Sequence, residues 1–204
     1  MAGPRIARPE AKKSAALHEH AADNLRFIRE TMERSAAFTA VPGWGGVAMG
    51  TTALGAAILA SRQPSAERWL MVWFAEAALA CFVGAVALVR KAGATQVPLD
   101  GGPSRRFALG FAPPILAAAA LTALLYQRGL IDALPGCWLL LYGTAVITGG
   151  VVSVRVVPLM GAAFMALGLG AMFGPAGWGD WYLAVGFGGL QVLFGSIIAR
   201  RYGG

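Results

Sequence analysis

Ionisable side chains are scarce in this chain, and the missing types exclude whole classes of chemistry. Only 13% of its 204 residues are charged, about half the share in an ordinary soluble domain. Both histidines, His18 and His20, and two of the three lysines fall before residue 21. The apolar segments therefore contain no histidine pair to hold a haem and no lysine to form a retinal Schiff base. There are two cysteines, too few for a thiolate metal centre. Cys81 falls near the middle of one apolar run and Cys137 near the end of another, a difference in depth that argues against a disulfide. No GxSxG and no phosphate loop occurs.

Apolar residues dominate, at 57%, with a mean hydropathy of +0.61. A hydrocarbon layer of about 30 Å takes about 20 apolar residues to cross as a helix. Runs of that length lie at approximately 38–60, 69–89, 107–127, 134–153, 156–174 and 178–199. The expected fold is an all-α membrane protein, a six-transmembrane-helix bundle over 37–204 preceded by a cytoplasmic tail over 1–36. VVSVRVVP, around Arg155, divides the fourth span from the fifth, because their combined run is about twice one crossing. The 28 glycines suit helices that approach closely in lipid. Small-xxx-small spacings such as Ala162 to Ala166, Ala166 to Gly170 and Ala184 to Gly188 permit such contacts.

Basic residues orient the bundle, since loops rich in Lys and Arg stay on the cytoplasmic side. With both termini inside, that side holds Arg5, Arg8, Lys12, Lys13, Arg26, Arg29, Arg34, Arg90, Lys91, Arg105, Arg106, Arg155, Arg200 and Arg201. Only Arg62, Arg68 and Arg128 remain outside. The formal charge of +7 then describes an inner face attracted to anionic lipid headgroups, the first expected partner. No base-reading or stacking module for nucleic acid is evident. Arginine far outnumbers lysine and alanine is abundant, as in GC-rich bacterial genomes, which places the protein in a bacterial cytoplasmic membrane. The tail is too long and too mixed in charge for a signal-peptide n-region, so the first span is read as retained.

The tail has a helical pattern over about 14–36. Leu17, Ala21, Leu25, Ile28 and Met32 form one stripe at spacings of three and four, while Arg26 with Glu30, Glu30 with Arg34 and Arg29 with Glu33 pair across i, i+4. This is an amphipathic helix for the membrane surface or for a protein partner. His18 and His20 would point about 200° apart on such a helix, so no metal site is expected from them.

Few polar residues fall within the spans, and Glu76 is the one carboxylate deep inside a run, seven residues after Trp69. That is about 10 Å of helical rise. An ionised carboxylate facing lipid is costly, so Glu76 should face the bundle. Counting inward from the same end, Thr51, Thr52, Thr122, Tyr142 and Thr144 reach a similar depth and compose a candidate polar layer with it. Gln191 counts as deeper. In GPAGWGDW, Gly177 to Asp180 resembles the GxGD motif of presenilin-like and prepilin-peptidase-like membrane proteases. That chemistry needs a second carboxylate sharing a water with the first. Asp180 falls at a span boundary.

Two functions are compatible with this reading. The first is a non-enzymatic accessory, sensory or assembly subunit working through helix packing and its tail, alone as a homo-oligomer or with a protein partner. The second is a small cation- or proton-coupled transporter using Glu76. Neither needs a cofactor.

Overall fold

The computed structural model describes residues 23–28, 42–95, 102–151, 153–175 and 177–202. The chain divides into two units, Met1–Phe38 and Thr39–Gly204. In the first, 23–28 is helical, with Leu25, Phe27 and Ile28 exposed. Leu17, Ala21, Met32, His18 and His20 lie outside the described residues.

The second unit is all-helical among its described residues, with six helices long and apolar enough to cross a membrane. They are α1 (Gly43–Ala60), α2 (Ala66–Thr95), α3 (Gly102–Gln127), α4 (Leu134–Gly150, entered through a 3₁₀ turn at Ile131–Ala133), α5 (Val156–Phe173) and α6 (Gly179–Tyr202). In the middle of α6, Ala184–Leu190 is π-helical. The starts and stops have local causes. Ser65 Oγ accepts from the N–H of Arg68 and caps α2, and Pro135 stands in the first turn of α4, where its missing N–H costs nothing. Gly129, at φ 71°, closes α3: its N–H donates to Tyr126 and that of Leu130 to Leu125, an arrangement that needs a left-handed residue. At 30 residues α2 outruns the apolar stretch 69–89, because a helix can continue into the polar zone wherever its backbone pairs with itself.

The core is organised around α1 and α4. Helix α1 packs on α6 and α2, and α4 packs on α5 and α3, with α6 also touching α4 and α5. Both main antiparallel pairs are built on glycines seven residues apart, the repeat at which left-handed packing keeps two helices facing each other. In α4 and α5 these are Gly136 and Gly143 against Gly168 and Gly161. A Cβ on Gly143 would stand 2.6 Å from the Gly161 carbonyl oxygen, and one on Gly161 2.7 Å from that of Gly143. In α1 and α6 they are Gly43 and Gly50 against Gly195 and Gly188. A Cβ on Gly195 would meet the Gly43 carbonyl at 2.9 Å, and one on Gly50 that of Gly188 at 2.7 Å. The backbones touch, and side chains longer than hydrogen are excluded.

Pro113 and Pro114, which hint at a broken helix, lie inside a continuous α3. Proline at 114 removes the N–H that would bond the Gly110 carbonyl. Thr148 of α4 offers a replacement: its hydroxyl lies 2.7 Å from the Gly110 oxygen and 2.8 Å from the Thr144 carbonyl of its own helix, two acceptors that share one proton, and Gly110 admits the approach because a Cβ there would stand 2.6 Å from the Thr148 carbonyl oxygen. Thr148→Val, which keeps the shape and removes the donor, is expected to cost about 1 kcal/mol or more in unfolding free energy. Thr51→Val, on an exposed hydroxyl bonded only to its own helix, is expected to cost little. Equal effects in a denaturant titration would show that the Thr148 contact does not support α3.

Candidate functional site

Glu76 is buried, at 9% exposure, on the side of α2 that meets α1. The same stripe of α2 carries Trp73 and Trp69, one and two turns nearer the start, so the turn geometry that points the indoles inward also buries the carboxyl. Thr52 of α1 donates its hydroxyl to Glu76 Oε1 at 2.8 Å and also lies 2.9 Å from the carbonyl of Met49. A hydroxyl has a single proton, so these two acceptors compete for it.

The other polar residues of the proposed layer are engaged elsewhere. Thr122 accepts from the indole N–H of Trp138 at 2.8 Å and donates to the Ala118 carbonyl at 2.6 Å, which joins α4 to α3. Tyr142 accepts from the Gln191 amide at 2.7 Å, joining α6 to α4. Thr144 donates to Leu140 within its own helix and lies 3.9 Å from the sulfur of Met165. Thr51 is exposed and donates to Val47. The hydroxyls thus form separate contacts, and only Thr52 reaches Glu76.

Gln191 was expected to lie deeper than Tyr142, yet the two meet. It comes 12 residues into α6 and Tyr142 eight residues into α4. The difference is about 6 Å of rise, which one long amide and one phenol side chain bridge.

Aromatic rings continue from this contact to the end of the bundle that holds Trp69. Tyr142 meets Phe187, Phe164 and Phe111 at centroid distances of 5.2, 4.8 and 5.9 Å. Trp73 lies between Phe187 and Trp138, and Trp69 stacks on Trp138 at 5.4 Å. Trp73 Nε1 is buried without an oxygen or nitrogen acceptor; its ring stands edge-on to Trp138 at 65°, a geometry in which aromatic faces accept weakly. At the end of the column Trp69 Nε1 donates to Asp180 at 2.7 Å, and Tyr126 donates to Glu67 at 3.2 Å. Asp180, the acid of the GxGD sequence, is thus an acceptor that ties α6 to α2. Trp69, Trp138, Thr148, Gln191 and Asp180 all lay outside the expected layer. The indoles and Gln191 had a signal in the sequence, as polar hydrogens in apolar spans that must find partners.

Both cysteines are free thiols, Cys81 exposed on α2 and Cys137 buried at the start of α4. The geometry defines a class: an all-helical, multi-pass membrane protein whose internal polar groups join helix to helix. No family model, no characterised protein and no solved structure matches the chain.

Proposed function

We propose that this protein is a non-enzymatic accessory, sensory or assembly subunit of a bacterial cytoplasmic membrane, with both termini cytoplasmic, that acts by association. The carrying observation is the uneven coverage of its helices. The most apolar windows of α1 and α4 are 44% buried, whereas those of α2 and α3 are 6% buried. Met71, Phe82 and Val89 share the outward side of α2, each more than half exposed. Lipid or a second membrane protein covers such a face, and the amphipathic stripe expected in the tail adds a second contact on the cytoplasmic side.

The charges support the orientation. Arg90, Lys91, Arg105, Arg106, Arg155, Arg200 and Arg201 stand at one end of the helices, where no acid lies among the described residues of the bundle. The opposite end mixes Arg62, Arg68 and Arg128 with Glu67, Asp132 and Asp180.

Gentle extraction of C-terminally tagged protein from native membranes is expected to yield a defined partner or homo-oligomer near stoichiometry, and removal of residues 14–36 to lose the partner while the bundle stays folded. A monomer without a companion would count against association. One observation favours the transporter reading: Glu76 is a buried carboxyl whose hydrogen bond comes from a single hydroxyl. On that reading Glu76→Gln abolishes proton- or cation-coupled flux in vesicles, and unchanged flux removes it.

A further inference from the structure

Thr52 stands between two acceptors, and that placement gives the Glu76 carboxyl two complete bonding schemes. The Thr52 hydroxyl oxygen lies 2.8 Å from Glu76 Oε1 and 2.9 Å from the Met49 carbonyl oxygen. An ionised carboxyl has no proton to give, so Thr52 donates to Oε1. A protonated carboxyl donates to the Thr52 oxygen instead, and Thr52 turns its own proton to Met49. One hydroxyl rotates, and neither state orphans a donor.

Among the described residues no charge pairs with this carboxyl. Helix α1, on which it packs, carries no ionisable residue. On α4 the ionisable groups are Cys137 and Tyr142, the latter bonded to Gln191. On α6 Asp180 is bonded to Trp69, Tyr182 follows it, and Arg200, Arg201 and Tyr202 stand at the far end. On α3 Tyr126 is bonded to Glu67, and Arg105 and Arg106 stand at the other end. Along α2 itself Cys81 is a thiol, while Arg68 and Arg90 stand eight residues before and fourteen after Glu76, about 12 and 21 Å of rise away. Whatever binds the carboxylate must therefore neutralise it.

The ligand set selects the occupant. A hard metal cation takes about six or more oxygens, and the pair offers two on Glu76 and one on Thr52. Main-chain carbonyls make up such a number where a spanning helix is broken, but α1 and α2 run unbroken through this level. An organic cation is held by an aromatic face, and the indole one turn away, Trp73, is 4% exposed and packed on Trp69, Trp138 and Phe187. A proton needs one oxygen and no added room.

We infer that Glu76 and Thr52 form a reversible proton-binding site, which takes up a proton and not a metal or organic cation. The pair is not sealed: Glu76 keeps 9% exposure, and one turn from Thr52 the exposed Gly55 has nothing within 4 Å of an added Cβ. The inference names the ion for the transporter reading above, and it rests on that reading for the use of the site but not for its occupancy.

Infrared spectra of the full chain, reconstituted in vesicles and stepped from acid to alkaline buffer, test it. Subtracting the spectra of Glu76→Gln isolates the protonated-carboxyl band of this residue. The band is expected in acid, should bleach as the pH rises and should return on acidification. Sodium, potassium and tetraphenylphosphonium should leave its midpoint in place. Thr52→Ser, which retains the hydroxyl, should keep the band frequency, whereas Thr52→Val should shift it, because the acid then lacks its partner. A band that persists at every pH would mean an acid fixed in its neutral form, and a band absent at every pH a carboxylate that takes no proton; either overturns the inference. A midpoint moved by any of the three cations would make this a cation site and overturn it as well. An unshifted band in folded Thr52→Val would overturn the pairing with Thr52. Proton flux measured on the same vesicles separates the two levels: a normal titration without flux would end the transporter reading and leave the proton site standing.

Discussion

Gly143→Val is expected to be strongly destabilising. The new Cβ would stand 2.6 Å from the carbonyl oxygen of Gly161 and 2.9 Å from the backbone nitrogen of Met165, so the neighbours that must yield are backbone, which cannot change rotamer. Overpacking typically costs about 1–3 kcal/mol, and a contact between two helix axes lies at or beyond the upper figure. Separating α4 from α5 also removes the wall against which Phe164 is fully buried, so the loss propagates to Tyr142 and Phe187. Gly55→Ala is the matched control: nothing lies within 4 Å of its added carbon, and alanine is the better helix former by up to about 1 kcal/mol. Thermal unfolding in mild detergent should therefore place Gly143→Val far below the parent and Gly55→Ala at or above it. A Gly143→Val protein as stable as the parent would refute the backbone contact between α4 and α5.

The second large effect runs against the usual intuition about a buried acid. Thr52→Val leaves the Glu76 carboxyl in place without its donor, and an orphaned buried group costs about 1–3 kcal/mol, more when charged. Glu76→Leu removes the group itself and leaves Thr52 free to donate its one proton to Met49. Thr52→Val should therefore destabilise more than Glu76→Leu, and the double replacement should resemble Glu76→Leu alone. The coupling between the two positions is expected at about 0.6–2 kcal/mol, as for polar contacts between membrane helices. Additive effects would mean that the carboxyl is held by something other than Thr52. Glu76→Gln preserves a donor and an acceptor and should be mild in the same assay, so a loss of flux with Glu76→Gln would report on transport and not on folding.

The six spans were legible because hydrocarbon thickness fixes how long an apolar run must be, and that constraint acts on each segment separately. The division at Arg155 was legible for the same reason: the described residues show α4 ending at Gly150 and α5 starting at Val156. Rotation about the helix axis was not legible, because counting residues along a span gives only the position along it. Thr51 and Thr52 are one residue apart and have equal claims on Glu76 by depth. The 100° between them turns Thr52 toward α2 and Thr51 outward. Contacts between distant segments had no local signal, since Trp69 and Asp180 are 111 residues apart. The glycine repeat is a different case. Gly136, Gly143 and Gly150 stand at a strict seven-residue interval, as do Gly161 and Gly168. That pattern was present in the chain, but four-residue spacings do not reveal it.

The π-helical segment of α6 acts as a phase shifter. It lies between the half of the helix that carries Asp180 and the half that carries Gln191 and Gly195, and it sets the angular offset at which those groups leave the axis. Removing one residue from Ala184–Leu190 would rotate one half relative to the other by about 100°. Asp180 could then remain on Trp69, or Gln191 on Tyr142 with Gly195 against α1, but no rigid rotation would restore both. The length of this segment is thus set to the residue, in addition to what Phe187 and Gly188 require of its side chains.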